Sequence, residues 1–195
     1  MKKLVIAAAL IALAAPVHAQ TQAPASPTAP SQMNAQQGTV SAATKKFVTT
    51  AAMTDMFEIQ AGQLAQQKTE DSAYKDFAQM IVADHTKTTD QLKSMAPKLQ
   101  GVELPQTLDK THQAKIDKLS SLSGAAFERQ FKNEQVQGHK QAIKEFETYA
   151  KRGDNQELKG WAEQTLPALK THLQHAEALP SPRAAPSTGV STKNR

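Results

Sequence analysis

The chain has 195 residues, with 23 Lys and Arg against 18 Asp and Glu and no cysteine. The missing cysteine excludes disulfides, thiolate metal ligands, a lipid-modified cysteine anchor and cysteine nucleophiles in one step. The positive excess sits at the two ends: with Lys2, Lys3, Arg183, Lys193 and Arg195 set aside, residues 41–179 balance their acids and bases, so no basic face for nucleic acid is expected.

Residues 1–19 read as a secretory signal peptide. Lys2 and Lys3 form its charged region, Leu4 to Ala15 its apolar region, and Val17-His18-Ala19 a small-residue cleavage site. The apolar run is shorter than the roughly 20 residues of a stable membrane span. Cleavage after Ala19 and export of a soluble protein to the periplasm are the expectation. Residues 20–40 are rich in Gln, Ala, Pro, Ser and Thr without an aromatic residue, a linker composition too polar to order itself. Residues 180–195 read as a second such segment, a basic tail that allows weak contact with anionic envelope surfaces.

Between them, 41–179 has the length of one domain, and its periodicity is helical throughout. A first long helix is expected near 41–68, opened by Ser41. A second spans 72–96 and stops before Pro97, because the residue preceding proline avoids helical angles. Pro97, Gly101 and Pro105 break the chain. Thr107 is the expected cap of a short helix reaching Leu122. A third long helix runs over 125–151. The fourth, expected to be capped by Asp154 with Glu157 in a capping box, ends at Pro180, and Pro167 inside it should kink it or open one backbone bond. The connections are short, long, short. That is the order of a ferritin-like four-helix bundle, with a long crossover containing a short extra helix between helices two and three.

The apolar stripes of these helices each carry one ionisable residue. The first stripe reads Phe47, Ala51, Thr54, Glu58, Ala61, Ala65, and the second Tyr74, Ala78, Ile81, His85, Thr88, Leu92, Met95. The third reads Phe127, Phe131, Gln135, Gly138/His139, Ala142, Phe146, Tyr149, and the fourth Leu158, Ala162, Thr165, Leu169, His172, Ala176, Leu179. At 1.5 Å rise per residue the crossover topology puts Glu58, His85, His139 and His172 at depths of about 15, 21, 21 and 14 Å from one end, all in the middle third of the bundle. One carboxylate and three imidazoles aimed at one axis are costly unless they bind one another or a metal.

The motifs themselves resemble a known family. Phe47-Val48, Ala51-Ala52, Glu58-Ile59 with Gly62 and Leu64-Ala65 look like its opening motif. Phe77-Ala78-Gln79-Met80-Ile81-Val82-Ala83-Asp84-His85 looks like its most distinctive segment. Gly124-Ala125-Ala126-Phe127 with Gln135-Val136 and His139, and Thr165-Leu166-Pro167 through His172, look like the third- and fourth-helix motifs. The family is domain of unknown function 4142, and the resemblance covers roughly 45–179. It implies an exported ferritin-like bundle and no established activity. A label naming such proteins outer membrane proteins conflicts with the sequence, because a membrane barrel needs alternating strands.

Two functions are expected from this. The first is a non-enzymatic, structural or stress-related bundle in which the four groups form a network fixing helix register. The second is a metal-binding bundle with Glu58, His85, His139 and His172 as ligands and Asp84 behind them; the donors suit zinc, copper or iron. Di-iron oxidase chemistry is disfavoured, since no Glu-x-x-His motif occurs. There is no nucleophile–base arrangement and no Gly-rich phosphate loop. His175 lies off its stripe, and Asp109 with His112 reads as a solvated pair. A homo-oligomer is left open.

Overall fold

Each long helix begins where the sequence supplies a side-chain acceptor or a turn. The computed structural model describes residues 39–181, so the signal peptide, most of the linker and the basic tail lie outside the described residues. Helix α1 spans Ala42–Lys68, and the Ser41 hydroxyl accepts the Thr44 amide at its start. Helix α2 spans Ser72–Met95, with the Asp71 carboxylate accepting the amides of Ala73 and Tyr74. A 3₁₀ turn over Ala96–Lys98 follows at Pro97. Helix α3 spans Lys110–Ser121, α4 Gly124–Arg152 and α5 Gln156–Ala178. Every regular element among the described residues is helical.

Two caps differ from expectation. Asp109, not Thr107, caps α3 by accepting the His112 amide. Asn155, not Asp154, caps α5 by accepting the Leu158 amide. The reason in the second case is tertiary: the Asp154 carboxylate accepts the hydroxyl of Thr44, which also bonds the Tyr149 hydroxyl at 2.5 Å. The start of α1 is thereby tied to the α4–α5 turn. Helix α5 continues through Pro167, which is exposed, as is Glu163 four residues earlier. The carbonyl left without an amide donor therefore lies on the wet face of the helix.

The four long helices pack as α1 on α2, α4 on α5, α1 on α4 and α2 on α5. The crossover returns along the bundle, and its helix α3 lies against α1 and α4. The core is divided in two. One cluster gathers Phe47, Phe146, Tyr149, Trp161, Leu92 and Leu169; Phe47 stacks on Tyr149 with ring centroids 4.0 Å apart. The other gathers Phe57, Tyr74, Phe77, Ile81, Phe127 and Phe131. Each holds one half of all four long helices, as required when α2 and α4 run opposite to α1 and α5. Glycine allows the closest approach: a Cβ on Gly62 of α1 would lie 2.7 Å from Cγ2 of Val82 and 3.2 Å from the Ala78 carbonyl of α2.

Candidate metal centre

Between the two apolar clusters lies a polar layer. Asp55, Glu58, His85, Gln135, His139 and His172 are all buried. They come from α1, α2, α4 and α5, one turn apart at most on any one helix. Such groups are tolerated in an apolar core only if their hydrogen-bonding capacity is satisfied.

One side of each imidazole is satisfied. His85 Nδ1 lies 2.7 Å from Asp55 Oδ1. His139 Nδ1 lies 2.9 Å from the Gln135 carbonyl. His172 Nε2 lies 2.9 Å from Asp84 Oδ2. A carbonyl or carboxylate oxygen only accepts, so these three ring nitrogens are the donors, and each neutral imidazole carries its lone pair on the other nitrogen.

Those other nitrogens, His85 Nε2, His139 Nε2 and His172 Nδ1, are buried without a hydrogen-bond partner. The three histidines converge. Their ring centroids form a near-equilateral triangle with sides of 5.7, 5.5 and 5.3 Å, and each offers a ligand atom within 4.8 Å of the other two. A tetrahedral ion with nitrogen ligands at 2.0–2.1 Å needs them about 3.3 Å apart, so modest side-chain rotations close the set.

Glu58 stands in the same layer but outside that converging set among the described residues. Its Oε2 accepts the Gln135 side-chain amide at 2.6 Å. A Cβ at Gly138 would sit 3.3 Å from its Oε1, so a glycine in mid-helix leaves room for the carboxylate. Asp84 is half-exposed, with 46% of its side chain accessible, while its partner His172 is buried. Asp55 was not singled out from the sequence. It lies four residues after Ala51 and three before Glu58, so the step 51–55–58 fits the stripe as well as 51–54–58. Gln135 appeared only as a stripe position. His175 is exposed, and Asp109 Oδ1 lies 2.9 Å from His112 Nδ1 at the surface.

The electrostatics divide the trio. Burial pushes His139 down to about 4, helped by the charge of His85 and opposed by the Gln135 carbonyl. Burial likewise brings His172 to about 4, against the bond to Asp84. Burial also lowers His85, but the bond to Asp55 and the charges of Asp55, Glu58 and Asp84 outweigh it and leave this imidazole above its ordinary value. Burial holds the Glu58 carboxyl above the usual range, although His85, Gln135 and His172 oppose it.

No curated protein sequence matches the chain. Among solved structures, the crystal structure of a DUF305 fragment from Deinococcus radiodurans is similar with a TM-score of 0.63, covering 72% of this chain and 97% of that one. At 15% identity this similarity concerns the fold alone. The family model described as domain of unknown function DUF4142 matches residues 29–179, which take in all five helices. The chain therefore belongs to the DUF4142 family.

Proposed function

We propose that this bundle binds one transition-metal ion between its two apolar clusters, with His85, His139 and His172 as ligands. The observation that carries the reading is the set of three buried histidines that each offer a ring nitrogen within 4.8 Å of the other two and each keep one ring nitrogen unpartnered while a bond on the opposite ring atom orients the ring. Asp55, Asp84 and the Gln135 carbonyl are the groups that orient the imidazoles, the usual support of ligating histidines. Glu58 adds nearby negative charge that offsets a divalent cation. Imidazole nitrogens suit zinc, copper and iron. The absence of any Glu-x-x-His motif argues against a di-iron oxidase.

A purely structural network, the other expected function, has its own support. Asp55–His85 joins α1 to α2, Asp84–His172 joins α2 to α5, and Glu58–Gln135 joins α1 to α4. It weighs less, because a network serving only register leaves no reason for three buried imidazoles to converge with a ring nitrogen unpartnered on each. The experiment is elemental analysis of untagged protein purified from its native compartment, beside the His85→Ala variant. One metal per chain in the wild type and none in a folded variant is expected. Absence of stoichiometric metal after incubation with zinc, copper and iron salts would falsify the reading.

The same reading places the protein in the periplasm. Its support is the amino-terminal pattern ending at Ala19 and the lack, among the described residues, of any helix long and apolar enough to cross a membrane. Sequencing the mature amino terminus from fractionated cells should give Gln20; a chain retained in the membrane with Met1 intact contradicts it.

A further inference from the structure

The histidine trio has two unlike faces. Toward the α1–α2 turn stand Glu58 and Gln135, bonded to each other. On the opposite side, one to two turns back along α1 and forward along α4, a cavity of about 20 Å³ adjoins His85 and His172. Alanines at 51, 142 and 168 leave this space open. A single water needs roughly 10–15 Å³ of such space, so the cavity holds one water and nothing much larger.

Beside the two histidines, its polar wall is made of Thr54, Thr88, Thr165 and two carboxylates. Thr88 gives its hydroxyl proton to the His85 carbonyl at 3.0 Å, and Thr165 gives its own to the Trp161 carbonyl at 2.8 Å. What each hydroxyl keeps is oxygen lone pairs. Asp55 and Asp84 on the same wall are carboxylates. A bound molecule with O–H or N–H groups finds acceptors here.

We infer that the metal keeps an open fourth position facing this cavity, filled by an exchangeable water. The inference rests on the metal reading above. Three protein ligands with a water in the fourth place are the arrangement of open zinc sites. The cavity size sets the scale of anything that could replace that water: a molecule of one or two heavy atoms, such as ammonia or hydrogen peroxide.

The test uses the copper(II)-loaded full chain. Metal content is measured first, and the paramagnetic resonance spectrum is then recorded in ordinary and ¹⁷O-enriched water. The expected result is line broadening in enriched water and loss of the broadening in Ala51→Val, which fills the cavity while retaining metal. Ala142→Val fills the same space from α4 and serves if the first variant does not fold. Bound copper without ¹⁷O broadening, or broadening that persists in a folded, metal-loaded filled variant, overturns the open position. Failure to bind metal at all strikes the earlier reading instead, so the two failures are distinct.

Discussion

His139 is the one imidazole of the trio oriented by a backbone carbonyl rather than a carboxylate, and it is 1% exposed. Its value of about 4, set first by burial, lies below the roughly 6.5 of an unfolded histidine. As pH falls from about 6.5 the unfolded chain takes up the proton first, so stability present above that value is lost until pH reaches the folded value near 4. The difference amounts to at most about 3 kcal/mol at 1.36 kcal/mol per unit. In metal-free protein, the stability gap between wild type and His139→Gln should therefore shrink between pH 7 and 4, as read by urea denaturation at each pH. His85 and Glu58, both shifted upward, act in the opposite sense in both proteins and cancel in the difference to first order. A gap independent of pH means that His139 is not buried neutral. The sequence made the three histidines legible because each breaks an apolar stripe. It did not make Asp55 legible as a site residue, because a stripe built of three- and four-residue steps passes equally through Thr54. Gln135 was visible only as a polar intrusion. That its backbone orients His139 while its side chain holds Glu58 depends on helix contacts that no spacing encodes.

At the scale of the elements, helix existence and order followed from periodicity, and the short–long–short connections were enough to orient the crossover. The caps were less legible. Thr107 and Asp154 are good capping types, yet Asp109 and Asn155 do the capping, since Asp154 is drawn to Thr44 across the bundle. Gly62 is the element-scale counterpart. In an isolated helix Gly62→Ala should stabilise by up to about 1 kcal/mol. Here the added methyl meets Val82 at 2.7 Å with the Ala78 carbonyl behind it at 3.2 Å. Valine is stiff at χ1, so α1 and α2 must part. A net loss of roughly 1–3 kcal/mol is expected, in the range of overpacked cores, together with weaker metal binding because His85 moves with α2. Thermal melting and metal titration of the variant check both; a gain in stability shows that the two helices separate at no cost.

Taken as a whole molecule, the bundle is two apolar halves joined through a buried polar layer that the proposed ion would relieve. The metal-free state carries three unpartnered imidazole nitrogens and the unpartnered Gln135 Oε1 in its centre, each buried unsatisfied group costing on the order of 1–3 kcal/mol. An ion that binds only the folded state stabilises it by RT ln(1 + [L]/Kd), about 2.7 kcal/mol at a hundredfold excess over Kd. Wild type should therefore melt several degrees higher with the correct metal, while His85→Ala should gain nothing. Because the ligands must be deprotonated, and His85 is held above its ordinary value by Asp55 and its acidic neighbours against burial, the ion must displace a proton from His85 at mildly acidic pH. The metal-dependent rise in melting temperature should then fade as pH falls, beginning above the ordinary imidazole value of about 6.5. A cavity-filling experiment on the layer itself separates cost from function. Replacing the buried Asp55, Glu58, His85, Gln135, His139 and His172 together by leucines should raise the melting temperature of the metal-free protein, since well-packed apolar residues often outperform buried polar groups, and should abolish the metal response. If the leucine variant is instead the less stable one, and metal shifts neither protein, the layer exists to fix helix register and the convergence of the three nitrogens serves packing alone.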